Sequence, residues 1–191
     1  MGVRQGIITS GLNHLAHDAY SKIKISNFNK SLKQEMIEAD INPEDTPEFS
    51  KKPIVELLIK VKTLQNLWEM SNYQSFTLKE SLRKDLITGF EKLGVTTPKV
   101  IEDDKQGKIV YRVKGVESLE LSKSTFSSYY QLGTTVGHEL VHVIHIINGN
   151  FQNWINLYGL NKAIKQAEIY AYKWNISVGD ERARKKIKLY Q

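Results

Sequence analysis

The 191-residue sequence contains no cysteine. That excludes a disulfide framework and any thiolate metal site, so a metal would have to be held by His, Asp and Glu. The lack of thiols suits a protein that meets oxidising surroundings, although it does not fix the compartment. Long apolar runs are also missing. The longest, around residues 140–147, is far too short to span a bilayer. The N-terminus carries no apolar stretch of secretory type, so no signal peptide is expected. Apolar residues make up 40 % of the chain, enough for a core but lean for an enzyme. The length fits one domain with an appended arm.

The net charge is +6, and basic residues are scattered through polar positions. One cluster stands out: Arg182, Arg184, Lys185, Lys186 and Lys188. It reads as the solvated face of a C-terminal helix, with contact to nucleic acid or an anionic surface as the competing reading. No basic-aromatic interleaving supports a nucleic-acid reader. The acids Asp103, Asp104, Asp180 and Glu181 read as loop charges.

What the chain does contain is Gly137-His138-Glu139-Leu140-Val141-His142-Val143-Ile144, an HExxH motif in an apolar stretch. On a helix, His138 and His142 lie roughly 6 Å apart along the axis and about 40° apart around it. Two imidazoles on one face can hold one metal ion. Glu139 projects beside them, within reach of a proton on a metal-bound water. Neither proline nor charge interrupts the turn.

The fold class expected is α+β, mostly helical, with a small antiparallel or mixed sheet before the HExxH helix. Residues 1–30 read as a linker or the tail of a preceding module, and 31–191 as the domain. A short helix is expected near 31–39 within a polar stretch. Ile54, Leu57, Leu58, Val61, Leu64 and Leu67 recur at helical spacing and predict one helix over about 53–71. Thr77-Leu78-Lys79-Glu80 has the form of a capping box, with Gly94 as a helix stop. A second helix is expected between them, lined by Leu82, Leu86, Phe90 and Leu93. Residues 108–113 and 116–121 alternate with period two, and Gly115 and its neighbours supply a turn between them, which predicts a small antiparallel hairpin or part of a three-stranded sheet. Thr134 or Thr135 is expected to cap the HExxH helix, which stops at Asn148-Gly149. A short helix or packed loop over 151–158 and a helix over about 161–176 follow.

A catalytic zinc site needs a third protein ligand and an open position for water. The best candidate is Glu168, inside Ala167-Glu168-Ile169-Tyr170-Ala171-Tyr172. An unpaired carboxylate among such apolar and aromatic neighbours is costly, and coordination relieves the cost. Ala171 shares its face and allows a close helix approach. Tyr172 points the same way and is placed to support the ligand or donate to an oxyanion. The alternative for Glu168 is a surface pair with Lys165 or Lys173. The competing ligand is His145, but His138 and His145 are about 10 Å apart along one helix, too far to share one small ion. His145 therefore reads as a supporting or core residue. His14 and His17 share a helical face but fall in the expected linker.

His138, Glu139 and His142, followed by Glu168-x-x-Ala171-Tyr172, resemble the gluzincin division of zincin metallopeptidases over roughly residues 108–177. The resemblance implies a zincin-like fold, Zn²⁺ held by His138, His142 and Glu168, and hydrolysis of peptide bonds with Glu139 as base. Tyr172, Tyr170, Tyr158 and His145 are the candidates for the oxyanion donor. A strand near 108–113 or 117–122 is expected to offer its edge to an extended peptide substrate. The alternatives are a non-peptidase zinc hydrolase and a non-catalytic binding domain on a zincin scaffold. Separately, Ile8-Thr9-Ser10-Gly11-Leu12-Asn13-His14-Leu15-Ala16-His17 is similar to the stretch that follows the core of bacterial Rhs/YD-repeat proteins. That resemblance implies the C-terminal toxin of a polymorphic system, secreted or delivered from a cell, with an upstream Rhs shell and an immunity protein as partners.

Overall fold

Ser31 accepts a hydrogen bond from the Gln34 backbone N–H and so caps α1 (Leu32–Glu38), the first helix among the described residues and the short one expected near 31–39. The structure is a computed structural model that describes residues 31–85, 89–105 and 108–191. The expected tail at 1–30, its His14 and His17, and the Rhs-like stretch lie outside the described residues. Ser31–Gln191 forms a single unit.

The single helix expected over 53–71 is two, α2 (Lys51–Lys60) and α3 (Lys62–Met70). Val61 between them is extended, with φ −94° and ψ 108°. The break is held from outside. Glu35 of α1 accepts from the Thr63 backbone N–H at 2.8 Å and from Thr63 Oγ1 at 2.6 Å. A carboxylate thereby satisfies a donor at the start of α3, where the helix dipole also favours it. Ile54, Leu57, Leu58, Val61, Leu64 and Leu67 still all reach the core.

The helix expected after Thr77 does not form. Thr77–Lys79 is instead a short strand, β1, and residues 80–85 and 89–93 are irregular apart from a bridge between Lys84 and Glu91. Glu80, the expected capping partner, pairs with Lys123 at 3.0 Å. Phe90 is 78 % exposed rather than facing a core. Gly94 opens a strand instead of closing a helix. The local capping signal loses to backbone pairing with a distant strand, a contact that no short window contains.

That strand is β3 (Lys108–Ser122), which pairs antiparallel with β2 (Gly94–Lys105) and parallel with β1, giving the order β1-β3-β2. The sheet is small and mixed, as expected, but the two predicted strands around Gly115 are one. Gly115 sits within β3 at φ 132°, opposite Lys99, where the β2–β3 register shifts. It supports a bulge rather than a turn. Pro98 lies in β2, which is tolerable because β2 is an edge strand. Asp103 and Asp104, read as loop charges, fall in β2 as well.

A 3₁₀ turn (Lys123–Ser127) leads to the HExxH helix, α4 (Tyr129–Ile147). Its N-cap is Ser128, which accepts from the Gln131 backbone N–H, six residues before Thr134. Thr134 and Thr135 are inside the helix and bond back to carbonyls of the preceding turn. The helix stops at Asn148-Gly149 as predicted, with Gly149 at φ 75°. Its residues from Leu132 to Val141 are buried without interruption. Each fully buried Leu or Val there contributes about 1.5–3 kcal/mol.

Three helices complete the chain: α5 (Asn150–Tyr158), α6 (Leu160–Ser177) and α7 (Ala183–Tyr190). α6 presents Ala163, Ala167, Ala171 and Asn175 along one buried face. It packs on α4 so closely that a Cβ on Gly137 would lie 1.9 Å from Trp174 Cη2. Among the described residues no helix is long and apolar enough to cross a membrane.

Candidate metal centre

The α4–α6 contact brings the predicted donors together. His138 and His142, one turn apart on α4, place their Nε2 atoms 3.2 Å from each other. Glu168 on α6 places Oε2 3.3 Å from His138 Nε2 and 3.8 Å from His142 Nε2. A tetrahedral ion with bonds of about 2.0–2.1 Å separates its ligand atoms by roughly 3.3–3.4 Å, so this triangle has the right size. These three residues are the group able to hold a metal ion among the described residues.

The protonation pattern also fits. Asn175 Oδ1 lies 2.9 Å from His138 Nδ1, while Asn175 Nδ2 donates to the Thr134 carbonyl at 3.3 Å. That second bond orients the amide so that its oxygen faces the ring. An amide oxygen only accepts, so His138 Nδ1 carries a proton, and Nε2 is the nitrogen left to serve a metal at the centre. Asn175 lies seven residues after Glu168 on α6, nearly the same angular position. One helix therefore addresses both nitrogens of His138. The sequence reading missed Asn175, and this seven-residue spacing was the available signal.

The electrostatics favour a cation. Burial alone would raise Glu168, but the hydrogen bonds and charges of His138 and His142 hold its carboxyl well below the usual range. Burial would lower His142, yet the hydrogen bond and charge of Glu168, helped by Glu139, raise it overall. Both shifts favour positive charge beside the Glu168 carboxylate, which is what a metal ion supplies. Lys92 Nζ stands 3.7 Å from the other Glu168 oxygen, Oε1, and 3.5 Å from Asp85 Oδ2. The surface pair of Glu168 with Lys165 or Lys173 is not formed; its ionic partners are His138, His142 and Lys92.

Glu139 sits against β2. Thr96 Oγ1 lies 2.8 Å from Glu139 Oε2 and 3.1 Å from the Glu139 carbonyl oxygen. A Cβ on Gly94 would lie 2.6 Å from Glu139 Cγ and 2.7 Å from its Oε1. Only a glycine lets the strand come this near the carboxylate. Neither contact had a sequence signal, since both join segments more than forty residues apart.

Of the four candidate oxyanion donors, Tyr172 alone lines a cavity beside these groups. Its ring tilts over His138 with centroids 4.6 Å apart. Burial, reinforced by the charge of Glu168, pushes its phenol far upward, so it stays protonated. His145 is a core residue between Trp154 and Tyr170, at ring distances of 5.0 and 5.5 Å. Its Nδ1 is buried without a hydrogen-bond partner. Burial, with the charge of His142, pushes its pKa down to about 3. Tyr170 stacks on Trp154 at 5.2 Å, and Tyr158 is exposed.

The edge beside the site belongs to β2, not to the strand the sequence suggested. The outer edge of β3 is taken at Tyr111–Val113 by Gln152 of α5, which accepts from the Val113 N–H at 2.7 Å and donates to the Tyr111 carbonyl at 3.0 Å. At the start of β2, the N–H of Ser122 at the end of β3 donates to the carbonyl of Leu93, the residue just before Gly94, at 2.9 Å. Antiparallel alternation then turns the backbone groups of Gly94 and Thr96 away from β3.

The C-terminal basic cluster is a partly paired helix face. Arg182 bonds Asp180 at 2.8 Å and Gln131 at 3.1 Å, and Arg184 pairs with Glu181. Asp180, read as a loop charge, is buried by this contact. No family model matches this chain, and comparisons with curated proteins and with solved structures find no significant match.

Proposed function

We propose that the protein is a zinc-dependent metallopeptidase of gluzincin type, with Zn²⁺ held by His138, His142 and Glu168. The observation that carries this reading is the convergence of those donors, at 3.2, 3.3 and 3.8 Å from one another, beside Glu139. Zinc bound by such a set acidifies a water toward a pKa of about 7 and polarises a carbonyl.

The chain's own groups do the rest. Glu139, positioned by Thr96 and the bare backbone of Gly94, accepts the proton of the attacking water and passes it to the leaving amine. Asn175 fixes the His138 tautomer. Tyr172, protonated throughout the neutral range, donates to the developing oxyanion. The outward backbone groups of Gly94 and Thr96 pair with an extended substrate, which favours peptides over small molecules. The likeness of residues 8–17 to an Rhs junction extends the proposal to a delivered bacterial toxin countered by an immunity protein.

The test is Glu139→Gln. The variant should bind one zinc per chain, by elemental analysis, and lose about 10²- to 10⁴-fold in hydrolysis of denatured protein. Undiminished hydrolysis removes Glu139 from the role, and failure of the wild type to take up zinc removes the whole reading.

A further inference from the structure

Lys92 brings a positive charge to Glu168, and the chain fixes it there. Residues 83–85 and 90–92 run antiparallel: the Asp85 N–H donates to the Phe90 carbonyl at 2.8 Å, the Lys92 N–H to the Arg83 carbonyl at 3.1 Å, and Lys84 bridges Glu91. In such a pairing Asp85 and Lys92 are diagonal neighbours on one face. Asp85 Oδ2 lies 3.5 Å from Lys92 Nζ and also accepts from the hydroxyl of Tyr190, a buried residue of α7, at 3.1 Å. The Lys92 and Asp85 side chains are only 24 % and 13 % exposed, so each charge needs its partner. The ammonium therefore stands between two carboxylates, Glu168 and Asp85, and the second is anchored from a separate helix.

Glu168 divides its oxygens. Oε2 faces the imidazoles, at 3.3 and 3.8 Å from their Nε2 atoms, while Oε1 faces Lys92 Nζ at 3.7 Å. We propose, resting on the metallopeptidase reading, that Lys92 is a positioning residue that keeps Glu168 a one-oxygen ligand, and that Asp85 and Tyr190 hold Lys92 in place to do so. A carboxylate that turns both oxygens to a metal fills two of its positions, whereas a catalytic zinc with three protein donors keeps one open. The ammonium on Oε1 fixes the plane of the carboxylate and stops that oxygen from turning in to the position that water needs. Lys92 lines both cavities beside the centre. An uncharged side chain in its place leaves Oε1 without this ionic partner and with room to turn.

The probe is Co²⁺, whose visible absorption weakens as it passes from four ligands to five. The full chain and its variants are loaded with Co²⁺ for spectroscopy and, separately, with Zn²⁺ for hydrolysis of denatured protein. The wild type should show the strong four-coordinate spectrum. Lys92→Met should show the weaker five-coordinate one, and its kcat should fall about 10- to 100-fold with KM nearly unchanged. Lys92→Arg keeps a positive charge beside Oε1, so it should restore the four-coordinate spectrum and most of kcat. Asp85→Asn and Tyr190→Phe loosen Lys92 without altering it. They should give the same change in smaller measure, and they carry the test if Lys92→Met does not fold. A four-coordinate spectrum in Asp85→Asn and in folded Lys92→Met, whatever happens to kcat, overturns the role of Lys92 and leaves the peptidase reading standing. The spectral change without any hydrolysis by the wild type overturns the peptidase reading and keeps Lys92 as the residue that positions Glu168. A wild type that takes up no Co²⁺ overturns both.

Discussion

Asn175→Leu separates a site built for a metal from one that merely resembles it. The wild-type amide accepts from His138 Nδ1 at 2.9 Å inside the core. Leucine has a similar volume and no acceptor. In the metal-free protein the buried N–H loses its partner, at a cost of about 1–3 kcal/mol in stability. In the metal-loaded protein the ring also loses the bond that fixes its tautomer and orientation. Outer partners of this kind are worth about 10- to 100-fold in metal affinity, or roughly 1.4–2.7 kcal/mol. Zinc affinity is measured by competition with a chromophoric chelator, and unfolding by urea in the presence of EDTA. Asn175→Asp supplies the control: it keeps an acceptor on the ring, so zinc affinity should equal or exceed the wild type even if the metal-free fold is weaker. If Asn175→Leu binds zinc as tightly as the wild type, His138 is not oriented through this bond, and the assignment of its Nε2 lone pair to the centre fails.

Gly94→Ala should act on catalysis rather than on folding. The new Cβ meets Glu139 Cγ, Cδ and Oε1 at 2.6–2.9 Å, and that side chain can swing away, so kcat should fall at least about tenfold with zinc content unchanged. Gly137→Ala should act on folding. Its Cβ meets the Trp174 ring, which cannot swing, and overpacking of this sort costs about 1–3 kcal/mol, seen as a lowered Tm. His145 gives a pH dependence. Its folded pKa of about 3 lies below the unfolded value near 6.5, so the unfolded chain takes up a proton that the fold refuses. Stability from this residue is intact above about pH 6.5 and falls as pH drops toward 3, by at most about 1.4 kcal/mol per unit. The raised His142 works the other way: its contribution is full below its unfolded value and is lost as pH rises through the folded one. Comparing wild type with His145→Leu cancels the His142 effect, and parallel stability curves in EDTA between pH 7.5 and 5 would refute the assignment.

The helices α4, α5 and α6 were readable because apolar spacing, glycine stops and the HExxH face all point the same way. Glu168 was readable because its neighbours made an unpaired charge expensive. The misreadings share a cause. Thr77 to Glu80 carries a genuine capping pattern, but β3 offers Thr77–Lys79 backbone partners some forty residues on. Val61 continues the helical periodicity, but Glu35 holds the start of a new helix at Thr63. Gly115 has the freedom of a turn residue and uses it for a bulge. In each case a distant group decided between two locally acceptable conformations. Gly94 and Thr96 show the same limit at the site, since their relation to Glu139 exists only once β2 lies along α4.

The centre depends on one helix pair more than on any single ligand. Glu168, Tyr172 and Asn175 all lie within about two turns of α6, and each meets the ring of His138 on α4. Gly137 removes the side chain that would keep Trp174 of α6 away from α4. With that spacing set, Glu168 reaches the His138 Nε2 side and Asn175 the Nδ1 side. A slip of one residue along α6 rotates these groups by about 100° and moves them 1.5 Å, which carries both off the ring together. Metal affinity and the stability of the α4–α6 contact should therefore rise and fall in common across variants of the shared face, whereas variants of β2 should change turnover alone.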